Sequence, residues 1–133
     1  METGDPVRVR LRIEKHIMVA LAGRVAQQIY SRRTVQLYHA RSDMESAGQM
    51  VMSITGSTKE SNALMEWLYI RTKNSLKDSV NWEAVKALAA ELVFHGELTG
   101  KQATKVIRDA EHSSIFKNFK VEIVEKTESK DKR

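Results

Sequence analysis

This sequence predicts an all-α fold, a compact bundle of about five helices. Three observations carry that expectation. Apolar residues recur at spacings of three and four, helix-capping patterns stand between those runs, and only one proline and six glycines occur in 133 residues. Hydrophobic residues make up 41% and charged residues 29%, a globular balance that argues against wholesale disorder.

The elements follow in order. Asp5-Pro6 reads as an N-cap followed by proline at the first helical position. Val9, Ile13, Ile17, Ala20, Leu21, Val25 and Ile29 then repeat at three and four, predicting a helix to about Tyr30. Its start admits a rival reading, because Val7, Val9, Leu11 and Ile13 alternate with Arg8, Arg10 and Arg12 at strand period. Ser31 to Arg41 reads as a connection. Ser42-Asp43-Met44-Glu45 is a capping-box pattern and predicts a second helix with Met44, Ala47, Val51 and Ile54 inward, ended by Gly56. Ser57 with Glu60 is another such pattern. It predicts a long helix to about Lys77 with Leu64, Trp67, Leu68, Ile70 and Leu76 toward the core. Asn81 is the expected cap of a fourth helix, Trp82 to Phe94, burying Val85, Leu88, Ala89, Leu92 and Val93 and closed by Gly96. Thr99 with Gln102 opens a short fifth helix carrying Ala103, Val106 and Ile107. Residues 1–116 are thus expected to form one helical domain. Residues 117–133 are expected to be a charged, flexible tail, with Phe119, Val121 and Ile123 alternating at its start.

Composition excludes several function classes. With no cysteine there is no disulfide framework, thiolate zinc finger or cysteine nucleophile. No apolar run approaches the roughly 18 residues of a membrane span. A soluble cytoplasmic protein is therefore expected. Net charge is +5, and residues 1–41 alone carry eight basic and three acidic groups. A basic segment of that kind is either a solvated helix face or a meeting place for nucleic acid or an acidic partner. Arg8, Arg10, Arg12, Lys15, Arg32 and Arg33 are the candidates, but no aromatics are interleaved with them.

The search for chemistry returns mostly negatives. The four histidines are His16, His39, His95 and His112, and none is followed by glutamate or has a second histidine four residues on, so no H-E-x-x-H zinc motif is present. His39 and Asp43 have helical spacing, with His39 expected to precede the cap at Ser42. His16 reads as a boundary residue, and His95 as a structural histidine at a helix C-terminus. Gly96-Glu97-Leu98-Thr99-Gly100-Lys101 lacks the spacing and the following hydroxyl residue of a phosphate loop, and reads as a helix–turn–helix link. Met44, Met50, Met52 and Met65 at helical spacing read as gap-filling core residues before they read as a groove.

Three segments together carry a family likeness. Ile17-Met18-Val19-Ala20-Leu21-Ala22-Gly23-Arg24-Val25-Ala26-Gln27-Gln28 resembles the helix I-x-V-x-L-A-G-R-A-A-E-E of the peptidase domain of FtsH-type AAA+ zinc metalloproteases. Ser42-Asp43-Met44-Glu45-Ser46-Ala47 is similar to that family's S-D-L-x-x-A segment. Val85 to Leu92 with Glu97-Leu98-Thr99-Gly100-Lys101-Gln102 is similar to its closing helix pair. The order and approximate spacing agree over roughly residues 13–55 and 82–108.

The resemblance implies a helical fold, and it implies that Asp43 stands at the position of the family's third zinc ligand. The departures are as specific. The family's H-E-x-x-H lies upstream of the L-A-G-R helix, where this sequence has a short arm, and the ATPase module and membrane anchor have no counterpart here. Tyr38-His39-Ala40-Arg41 replaces the glycine-rich approach to the zinc aspartate, and Gln27-Gln28 replaces Glu-Glu. One carboxylate cannot hold zinc usefully, since such a site needs three protein ligands and a water. Asp43 is thus expected to be vestigial, with no cofactor. Each piece also has a plainer reading: Ala22-Gly23 as small residues allowing close helix approach, and Asp43 as a carboxylate favoured by the helix dipole.

The expected function is a proteolytically inactive, FtsH-peptidase-like helical domain acting in protein–protein interaction or assembly, with a protein partner or self-association. One alternative is a part of a split ATP-dependent zinc metalloprotease whose H-E-x-x-H comes from another chain. The other is a basic helical nucleic-acid-binding protein.

Overall fold

Asp5 caps the first helix as its sequence demands. One carboxylate oxygen accepts from the Val7 amide at 3.0 Å, and Pro6 occupies the first helical position. The computed structural model describes residues 4–31 and 37–132, with the backbone alone at 37–40. Among these residues it holds five helices and no strand. They are α1 (Pro6–Tyr30), α2 (Leu37–Ser53), α3 (Thr58–Lys77), α4 (Ser79–His95) and α5 (Gly100–Asp131). The all-α expectation is met. No helix among the described residues is long and apolar enough to cross a membrane.

The chain divides into two compact units, Met1–Leu76 and Lys77–Arg133. The division falls at the end of α3. In the first unit, Ile17, Leu21 and Val25 of α1 form a completely buried row at spacing four. They meet Ala47 and Val51 of α2 and Leu68 of α3. Ile13, Ile29, Met44, Ile54, Leu64, Met65 and Leu76 pack around this cluster. The strand reading of residues 7–13 fails. Val7, Val9 and Leu11 lie exposed on the first two turns of α1, and Arg10 is linked to Glu14 at 3.3 Å, an i,i+4 helix pair. Trp67 and Ile70, expected inward on α3, are also about half exposed.

The second helix begins earlier than its capping pattern suggested. Helical backbone starts at Leu37, so Ser42 lies inside α2 and caps nothing. Leu37 to Arg41 contains no glycine, proline or β-branched residue, and nothing in it opposes extending the helix upstream. The Ser57 pattern does act as a cap, one step offset. Ser57 Oγ accepts from the Glu60 amide at 3.2 Å, while the Glu60 carboxylate reaches back to the Gly56 amide at 3.0 Å. A hydrogen bond from the Tyr69 hydroxyl to Gln28 ties α3 to α1.

In the second unit α4 packs on α5. Asp78 is the cap of α4, accepting from the Val80 and Asn81 amides at 3.1 and 3.3 Å. Asn81, expected to cap, lies within the first turn. A cap at Asp78 satisfies two orphan amides and adds three residues of helix, which outweighs the later start. Gly96 closes α4 with φ of 79°, a left-handed conformation that glycine adopts without a Cβ penalty. Thr99 and Gln102 form the full reciprocal box that opens α5. That helix is not short. After Gly100 the sequence contains no glycine or proline, and α5 runs 32 residues to Asp131, through the segment expected to be a flexible tail.

Candidate functional site

Asp43 is the residue on which metal chemistry would have to rest. It is exposed on α2, in the second turn. Because α2 starts at Leu37, the charge of Asp43 lies beyond the first turn, where the helix dipole acts most strongly. Its neighbours Arg41 and Glu45 pair with each other at 3.4 Å. His39 precedes it by one helical turn of backbone, and the His39 side chain lies outside the described residues.

The other histidines stand apart. His16 is exposed on α1, and His112 is exposed on α5. His95 ends α4, where its Nε2 lies 3.1 Å from the Glu91 carboxylate one turn back. Among the described residues, no three histidine, aspartate or glutamate side chains are placed to hold a metal ion together. Asp43→Asn is therefore expected to change unfolding free energy by less than about 0.5 kcal/mol, as for an exposed surface position. Thermal melts of both proteins with zinc and with chelator should superimpose. A zinc-dependent rise confined to the wild type would instead reveal a metal site by mass action.

The L-A-G-R run is placed more informatively. Leu21 and Val25 are core, whereas Gly23 is exposed, with no atom of the described residues within 4 Å of where a Cβ would stand. Gly23 thus serves no close helix approach. Arg24 is partly buried, and its Nε is enclosed without a hydrogen-bond partner among the described residues. The methionines divide as well. Met44, Met50 and Met65 pack against the core, while Met52 is exposed and helps line an open groove of about 400 Å³ with Gly48, Val51, Thr55, Ser61 and Met65. The groove offers apolar wall and hydroxyl groups but no ionisable side chain.

Gly96 to Thr99 forms the link between α4 and α5, as the sequence indicated, and follows a helix where a phosphate loop would follow a strand. The basic residues of α1 sit on its exposed first turns. Arg8 lies 3.9 Å from Asp5 and Arg10 is held by Glu14, while Arg12 and Lys15 have no ion-pair partner among the described residues. Arg32 and Arg33 lie outside the described residues.

What the sequence reading missed is a surface. At the end of α4, Val93 and Phe94 are more than four-fifths exposed, and Leu92 is two-fifths exposed. Along α5, Ile115, Phe116, Phe119, Val121, Ile123 and Val124 are each about half exposed or more. Of these, Phe116, Phe119 and Ile123 share one side of α5 at helical spacing, and apolar residues grouped on one side mark interaction surfaces, unlike single exposed side chains. The signal lies in the spacing of Phe116, Phe119 and Ile123, which is helical, whereas Phe119, Val121 and Ile123 taken alone show only a brief alternation. Comparison with protein-family models, curated proteins and solved structures finds no match for this chain.

Proposed function

We propose that this chain is a non-enzymatic helical interaction module, built on the plan of the helical part of an FtsH-type peptidase domain and acting in protein–protein contact or assembly. The observation that carries the reading is the apolar surface of the second unit, above all the exposed row on α5. The family part rests on the ordered likeness of three segments, in which Asp43 matches the third ligand position and no H-E-x-x-H accompanies it. The chemistry-bearing side chains support a binding role, because Asp43, His16, His95 and His112 are dispersed over four helices. A split protease completed by another chain would draw on Asp43. A nucleic-acid role would draw on Arg12, Lys15, Arg32 and Arg33 before Arg8 and Arg10, which have carboxylate neighbours.

The test is cleavage of an unfolded casein by the purified chain, with added zinc and with chelator. No cleavage above background is expected in either condition. Chelator-sensitive cleavage by material free of contaminating protease would overturn the module reading.

A further inference from the structure

We propose that α5 pairs antiparallel with α5 of a second copy of this chain. Phe116, Phe119 and Ile123 form the centre of the contact, and Asp109 of each copy faces Lys126 of the other. This inference rests on the interaction-module reading and names the partner. It starts from the two sides of α5. Ala103, Ile107, Ala110 and Ser114, at spacings of four, three and four, are its more buried positions in the unit where it packs on α4. On nearly the opposite side Lys105, Asp109, His112, Phe116, Phe119, Ile123, Lys126 and Lys130 repeat at four and three, the seam of a two-helix coil. Every residue of this second row is exposed.

Length adds a second reason. With 32 residues against 17, α5 exceeds α4 by about 15 residues. A helix of that length is marginal in water without packing. The segment beyond α4 begins near Phe116, where the apolar part of the second row begins.

Charge selects both the partner and the direction. In a parallel pair each position meets its own copy, so Asp109 would face Asp109, Lys126 would face Lys126, and Lys130 would face Lys130. In an antiparallel pair the two kinds of seam position alternate across the contact. Phe116 then meets Phe119, Ile123 meets His112, and Asp109 meets Lys126, each twice by two-fold symmetry. Lys105 against Lys130 remains like-charged, at the outer ends where solvent screens it. The area is small. Four half-exposed aromatic rings and two isoleucines cover on the order of 800 Å², the size of a weak, concentration-dependent contact.

Sedimentation velocity over about 1–300 µM decides it. The average mass is expected to rise from the 15.2 kDa monomer toward twice that value. Phe119→Glu should hold the protein at monomer mass throughout. Because that change could also fray α5, the charge pair supplies an independent readout on exposed side chains. Asp109→Lys should raise the concentration at half-association about tenfold, and Asp109→Lys with Lys126→Asp should restore it. A wild type that stays monomeric, a Phe119→Glu variant that still associates, or a double variant no better than Asp109→Lys would each overturn the pairing. A monomeric wild type that casein assays show to be inactive leaves the module reading standing, whereas chelator-sensitive cleavage removes that reading whatever the mass.

Discussion

Leu21→Ala is expected to cost about 2–5 kcal/mol of stability, among the largest effects of any truncation in the first unit. Leu21 is completely buried, and it sits in the middle of the α1 row between Ile17 and Val25. Around it stand Ala47 and Val51 from α2 and Leu68 from α3, so three helices would border the space it leaves. Removing its three distal carbons forfeits transfer free energy and adds a cavity that backbones joined by regular helices cannot close. Val19→Ala on the same helix is the control. Val19 is about three-quarters exposed, and alanine is the better helix former, so this change should fall within about half a kcal/mol of neutral. Urea unfolding of both variants reads the difference at constant slope. Equal costs at the two positions would mean that α1 does not present Ile17, Leu21 and Val25 to the core.

The contrast between α1 and α4 explains how far the sequence could be read. Along α1 the apolar run Ile17 to Ala22 is flanked by polar stretches, so the longer repeat of Ile13, Ile17, Leu21, Val25 and Ile29 points to one side, and that side is buried. Along α4 the run Ala87-Leu88-Ala89-Ala90-Glu91-Leu92-Val93-Phe94 is apolar almost all round, and no spacing singles out a face. The predicted inner set of Val85, Leu88, Ala89, Leu92 and Val93 is therefore rotated by about one residue from the observed one. Caps were legible where two partners answer each other, as Thr99 and Gln102 do. They were misread at Ser42 and Asn81, where a start further upstream competes and a local pattern cannot weigh the added helix. The charged end of α5 reads from composition as a flexible tail, but glutamates and lysines such as Glu122 and Lys126, one turn apart, also suit a helix. The position of Asp43 was legible, while its setting depended on where α2 begins.

Ala84→Leu is the experiment that separates the two faces of α4. Ala84 is the most buried residue of that helix, and Ser114 is the most buried of α5. Both are small, as expected where two helices approach closely. Half-buried Ala87, Leu88 and Glu91 continue the same side of α4, while Ala89 is exposed. A leucine at 84 adds three carbons to the helix side that faces its neighbour and should cost about 1–3 kcal/mol by overpacking. The same exchange at Ala89 meets solvent and should stay within about 0.5 kcal/mol. The sequence reading, with Ala89 inward, demands the reverse order. Thermal or denaturant unfolding of the two single variants against the wild type therefore fixes the rotation of α4. A costly Ala89→Leu beside a neutral Ala84→Leu would turn α4 by about 140°, the angle that five residues of helix subtend. It would also bring the side of α4 carrying Leu92 and Val93 against α5, removing the α4 part of the apolar surface on which the interaction reading draws. The expected order, with the penalty at Ala84, leaves that surface free for a partner.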